Sequence, residues 1–121
     1  MKLYRVIVPV ADIEEAAAWY GNVLRMEGER VSGGRHYFDC GGTILACFCP
    51  KADGHAGEAL PLPDYIYVST DDLEGVRGRL GDAVENDIAV RPWGERSFYA
   101  RDPWGSGLCF VEAGTEFTGD G

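Results

Sequence analysis

Val10-Ala11-Asp12-Ile13-Glu14-Glu15-Ala16 is the stretch on which the fold turns. It ends a run of β-branched residues, Leu3-Tyr4-Arg5-Val6-Ile7-Val8-Pro9-Val10, and opens a segment with helical spacing. The run reads as a strand over 3–10, with Val6, Val8 and Val10 on one face and Arg5, Ile7 and Pro9 on the other. Pro9 has no N–H to give a ladder, so it belongs at a strand end or an edge. Asp12 then reads as an N-cap, with Glu15 three residues on as its capping-box partner. Ile13, Ala16, Ala17, Tyr20 and Leu24 continue at helical spacing, predicting a helix over about 12–24.

The same order restarts 60 residues later, where Asp72-Leu73-Glu74 matches Asp12-Ile13-Glu14. Each half places three strand candidates after its helix. The first half has them near 28–32, 35–40 and 43–49, turned at Ser32-Gly33-Gly34 and Gly41-Gly42. The second half opens with a strand over 64–70 and a helix from Leu73, capped by Asp71 or Asp72. Strands follow near 84–90, 96–101 and 107–112, with turns at Pro92-Trp93-Gly94 and Asp102-Pro103-Trp104-Gly105. Gly42 matches Gly105 at an offset of 63, which pairs Leu45 with Leu108 and Ala46 with Cys109. The fold class is therefore α+β, two tandem βαβββ repeats. The expected organisation is a first repeat over 1–50, a linker over 51–63, a second repeat over 64–113 and a loose polar tail over 114–121, all in a single domain.

Composition narrows the function. The 121 residues include 20 acidic and 11 basic ones, a net charge of −9. Nucleic-acid binders carry the opposite balance, so neither nucleic acid nor an anionic membrane is an expected partner. No stretch approaches the ~20 apolar residues of a membrane span, and no secretory signal is present. The four cysteines lie in apolar strand-like segments, as reduced thiols of a cytoplasmic protein do. No glycine pattern here forms a phosphate loop.

The two halves together resemble the vicinal oxygen chelate superfamily, which includes glyoxalase I, extradiol dioxygenases, fosfomycin-resistance enzymes and bleomycin-resistance proteins. The resemblance rests on Val10 to Ala16 with Trp19-Tyr20, Val23-Leu24 and Met26. It rests also on Pro92-Trp93-Gly94, Asp102-Pro103-Trp104-Gly105 and Phe110-Val111-Glu112. It implies a cleft on the concave sheets and a homodimer. In metal-dependent members it also implies four inward ligand positions carrying His, Glu or Gln. Those positions map here to Arg5, Ala46, Tyr65 and Cys109. A catalytic divalent metal needs about three ligands from His, Asp, Glu or Cys, so the expectation is no metal and no cofactor. A slip of one residue would bring Cys47 in place of Ala46, still without histidine.

The resemblance points to the metal-free branch typified by bleomycin-resistance proteins. The expected function is a small-molecule binding protein that sequesters a cationic aromatic, drug-like compound, without catalytic residues. The candidate ligand-binding residues are Arg5, Phe38, Tyr65, Tyr67, Trp93, Tyr99, Trp104 and Cys109, with Phe38 and Tyr99 uncertain by one residue in facing. His36 and His55 read as structural histidines. Two other readings stay open: a divergent lyase, isomerase or dioxygenase, and a structural or regulatory module with an empty cleft.

Overall fold

The computed structural model describes residues 1–119; Asp120 and Gly121, the end of the expected tail, lie outside the described residues. The chain forms two compact units, Met1–Leu62 and a second from Pro63 onward. Among the described residues, no helix is long and apolar enough to cross a membrane.

The first unit contains β1 (Arg5–Pro9), α1 (Ile13–Leu24), β2 (Glu29–Ser32), β3 (Arg35–Cys40) and β4 (Thr43–Phe48). Its sheet runs β1-β4-β3-β2, with β1 parallel to β4 and the other pairs antiparallel. Pro9 is the last residue of the edge strand β1, where its missing N–H breaks nothing. Asp12 caps α1 by accepting the Glu15 amide at 2.9 Å. The helix buries Ile13, Ala16, Tyr20 and Val23. Tyr20 and Phe38 pack with ring centroids 6.3 Å apart, so Phe38 faces the helix. Gly41 and Gly42 both take positive φ, 67° and 104°, in the tight turn between β3 and β4.

The second unit contains β5 (Tyr65–Thr70), α2 (Leu73–Leu80), β6 (Ala89–Val90), β7 (Arg96–Arg101) and β8 (Gly107–Glu112). Its sheet runs β5-β8-β7-β6, with β5 parallel to β8, repeating the topology of the first unit. Of the two candidate caps, Asp72 accepts the Gly75 amide at 3.2 Å. Leu73, Val76 and Leu80 of α2 are buried, as are the stacked rings of Phe98 and Phe110 at 5.6 Å. Burying side chains of this size stabilises by about 1.5–3 kcal/mol each.

One expected strand changes. The strand expected near 84–90 shrinks to Ala89–Val90 plus one bridge between Val84 and Ala100. The Asn86 side chain accepts the Tyr99 amide at 2.8 Å, taking the place of a backbone carbonyl and interrupting the ladder. The segment after Phe48 is tied down as well. Lys51–Asp53 form one 3₁₀ turn, and Asp53 accepts the Gly34 amide at 3.0 Å. The polar tail is anchored at its start, where Thr115 Oγ1 donates to the Glu112 carbonyl at 2.7 Å.

Candidate functional site

Each sheet has one face under its helix and one helix-free face. The pairing registers assign every strand residue to one of them, because side chains alternate along a strand. In the first unit Arg5, Ile7 and Pro9 align with Ile44, Ala46 and Phe48, and these with Asp39, Tyr37 and Arg35, on the helix-free face. In the second unit Tyr65, Tyr67 and Ser69 align with Gly107, Cys109 and Val111, and these with Arg101, Tyr99 and Ser97. Leu45 and Leu108 lie on the helix sides, while Ala46 and Cys109 lie on the helix-free sides, as the 63-residue offset requires.

The expected site residues therefore separate. Tyr65, Tyr67, Tyr99 and Cys109 share the helix-free face of the second unit, and Trp93 comes to the same face from the turn before β7. Arg5 lies on the helix-free face of the first unit. Its guanidinium donates to the Tyr37 hydroxyl at 3.0 Å and sits over the rings of Tyr4 and Tyr37. Phe38 is corrected: it is buried against α1, and Tyr37 holds the helix-free position beside it. Cys47 is also on the helix side, so the one-residue slip does not occur. Trp104 stays in its turn, its amide donating to Asp102 Oδ1 at 2.9 Å, and does not line the cavity described below. His36 is structural. Arg30 Nε donates to its Nδ1 at 3.3 Å, which leaves Nε2 to donate to the Glu27 carbonyl at 2.8 Å.

On the second unit the strand residues form a braced aromatic layer. The Tyr65 and Tyr99 rings meet edge to face at 4.8 Å. Arg101 lies over the Tyr65 ring at 4.6 Å and donates to its hydroxyl at 2.9 Å, while that hydroxyl donates to Glu85 at 2.8 Å. The hydrogen bond to Glu85 and then burial raise the Tyr65 pKa. Gly107 stands directly opposite Tyr65, and a Cβ there would fall 2.7 Å from the ring. Only glycine lets the ring lie across β8. Arg91 lies over the Tyr99 ring at 5.0 Å and donates twice to Ser97.

Beside this layer is a cavity of about 610 Å³, lined by Tyr67, Ser69, Trp93, Glu95, Val111, Glu116, Phe117 and Thr118. Its three rings are about half exposed: Tyr67 at 55%, Trp93 at 45% and Phe117 at 49%. Glu95 is buried at 6%, its Oε1 accepting the Trp93 indole N–H at 2.7 Å and its Oε2 the Phe117 amide at 2.9 Å. Glu116 carries the second carboxylate; hydrogen bonds from backbone amides, its own and that of Gly114, hold its pKa low. No basic residue lines the cavity. The first unit has a smaller one, about 270 Å³, beside Val10, Cys49 and Lys51, with no aromatic lining.

Glu95, Glu116 and Phe117 were missed by the sequence reading. Two signals pointed to them: Phe117 is the sole large apolar residue in the polar tail, and Glu95 lies two residues after Trp93.

A scan of protein-family models matches residues 2–110 to the Glyoxalase/Bleomycin resistance protein/Dioxygenase superfamily. The chain belongs to this superfamily. Solved structures of the superfamily's fold agree. A lactoylglutathione lyase from Agrobacterium tumefaciens superposes with a TM-score of 0.70 at 24% identity, covering 93% of each chain. A superfamily member from Sphaerobacter thermophilus DSM 20745 gives 0.70 at 21%, covering 93% of this chain and 97% of that one. TioX from Micromonospora sp. ML1 gives 0.69 at 20%, covering 93% and 98%. At these identities the likeness is one of fold. A search of curated proteins gives no match.

The metal that serves part of this superfamily does not fit the four equivalent positions. Arg5 is a permanent cation and Ala46 has no donor atom. The Tyr65 hydroxyl is engaged by Glu85 and Arg101. Burial pushes the Cys109 thiol up to about 11, and it is the one soft donor among the four positions, short of the three or so ligands a catalytic divalent metal needs. Among the described residues no three His, Cys, Asp or Glu side chains gather into a metal-holding group.

Proposed function

We propose that this superfamily member binds a planar, cationic aromatic small molecule without metal and without transforming it. One observation carries the reading: a single cavity joins three half-exposed rings to two carboxylates and no basic group. Half-exposed aromatic side chains gathered around one cavity mark a ligand site more often than a bare surface. Tyr67, Trp93 and Phe117 offer π faces to a flat ligand. A cation over such a face gains about 0.5–2 kcal/mol per ring. Glu95 supplies fixed negative charge at the cavity wall, and the net charge of −9 draws cations toward the chain. Arg5 does not line this cavity, and its guanidinium is engaged by the Tyr37 hydroxyl.

The chemistry around Cys109 supports binding over turnover. A nucleophilic cysteine needs a lowered pKa and a neighbouring base. Here burial raises Cys109 to about 11, and Tyr67, its neighbour across the ladder, is pushed up to about 12, first by burial and then by its hydrogen bond with Tyr99.

The test is an equilibrium titration with proflavine, a flat cation, against 9-anthracenecarboxylate, a flat anion. Saturable binding of proflavine at least tenfold tighter than of the anion is the expected result. Equal affinities, or preference for the anion, would overturn the proposal.

A further inference from the structure

After Glu112 the chain does not run off into solvent. Thr115 Oγ1 donates to the Glu112 carbonyl and accepts the Arg96 amide at 3.1 Å. The Gly114 amide donates to Glu116 Oε1 at 2.6 Å, and the Phe117 amide donates to Glu95 Oε2 at 2.9 Å. These bonds turn residues 114–118 back along the helix-free face of the second unit, so that Glu116, Phe117 and Thr118 line the same cavity as Tyr67 and Trp93.

The bonding within this segment is uneven. Its backbone is anchored at Thr115 and Phe117, yet the Phe117 ring is 49% exposed. An exposed ring on a pinned backbone has its apolar face still to bury. The pin itself is Glu95, whose other oxygen holds the Trp93 indole. One carboxylate therefore sets the position of two residues whose rings line the cavity. Positioning these rings in advance reduces the entropy lost when a ligand binds against them.

We propose that residues 114–118 are a movable wall of the ligand pocket, with Phe117 closing over a flat cation opposite the sheet and Glu95 serving as the latch. The proposal rests on the ligand reading above and adds the residues that retain the ligand. The wall is held by a few hydrogen bonds and belongs to no strand, so it opens at lower free energy than the strands it lies on.

Amide hydrogen exchange on the whole chain, free and with proflavine, tests both halves. In the free protein the Phe117 amide is expected to exchange at least tenfold more slowly than in an unstructured peptide. Glu95→Ala abolishes that protection while the amides of β7 and β8 stay protected. With proflavine, protection at 115–118 rises further. A chain ending at Ala113, and Phe117→Ala in the whole chain, should each bind proflavine at least tenfold more weakly, mainly through faster dissociation. Coil-like exchange of the Phe117 amide in the free protein overturns the proposal. So does unchanged or tighter binding by Phe117→Ala, which leaves the ligand reading standing. If the whole chain binds no proflavine, the ligand reading fails and the closing wall fails with it.

Discussion

The indole N–H of Trp93 donates to Glu95 Oε1 at 2.7 Å across the turn that precedes β7. The bond fixes a half-exposed ring beside a buried carboxylate, and it makes the charge of Glu95 a part of the pocket's architecture. Glu95→Gln removes the charge and also sets an amide NH2 against one of the two N–H groups that Glu95 accepts, so one arm of the latch is lost with the charge. Proflavine affinity is expected to fall about tenfold or more, the equivalent of ~1.4 kcal/mol. A neutral flat analogue should lose only what the broken arm of the latch costs, so the difference between the two titrations is the part due to charge.

Phe38 and Tyr67, both expected at the site from sequence, should behave oppositely. Phe38→Ala opens a cavity under α1 and should cost about 3–5 kcal/mol of stability. Tyr67→Ala removes a ring that is 55% exposed together with its hydrogen bond to Tyr99, so it should cost about 1 kcal/mol, well short of Phe38→Ala. It should weaken proflavine binding several-fold. Urea unfolding and titration of both variants check the pair.

The two glycines of α2 answer differently to the same substitution. Gly78 has nothing within 4 Å of a built Cβ, so Gly78→Ala should stabilise by roughly 0.5–1 kcal/mol through helix propensity. At Gly75 the built Cβ collides with the Asp72 carboxylate that caps the helix. Gly75→Ala should displace the cap and give no gain, or a loss of about 1 kcal/mol. Paired thermal melts read the difference.

The thiols should react in a fixed order. Cys47, Cys49 and Cys109 are buried, and Cys40 is half-buried with a pKa raised by burial and by Asp39. On the native protein a thiol reagent at pH 8 should modify Cys40 first and slowly, and should spare Cys109, whose pKa is pushed up to about 11. All four should react quickly once the chain is unfolded. Mass mapping of the modified peptides checks this.

Arg96 joins α2 to the sheet by donating to Glu74 at 2.5 Å and to Glu112 at 3.1 Å. The hydrogen bond from Arg96 holds the Glu74 carboxyl below its ordinary range. A carboxylate depressed in the folded state contributes stability above its unfolded pKa and loses it as pH falls through the folded value. Glu74→Gln should therefore lower the melting temperature slightly at pH 7. The gap from the unaltered chain should close as pH drops below about 4.

The repeat was legible because its signals are local. Asp12 and Asp72 start helices at matching places, and glycine pairs mark the turns between β-branched runs. What was not legible depends on partners far along the chain. Alternation shows that Tyr37 and Phe38 face opposite ways, but only Tyr20 of α1 decides which one goes inside. Residues 84–90 carry strand-like composition, and a single Asn86 side chain diverts them. Strand parity and an aromatic turn, both visible in sequence, are why Tyr67 and Trp93 could be singled out, and both line the cavity, while Tyr99 lies in the layer beside it. Glu95 and Phe117 were not found because they meet across 22 residues, through a backbone amide that has no sequence signature.

The central claim is that a flat cation enters the cavity that Trp93 lines. Its most direct test is the proton–nitrogen spectrum of the three tryptophan indoles during a proflavine titration, with the Trp93 signal assigned by its loss in Trp93→Phe. The account predicts that the Trp93 indole signal moves saturably, while that of Trp19, packed edge-on against buried Tyr20, stays in place. Saturation by proflavine with the Trp93 signal unmoved would contradict it.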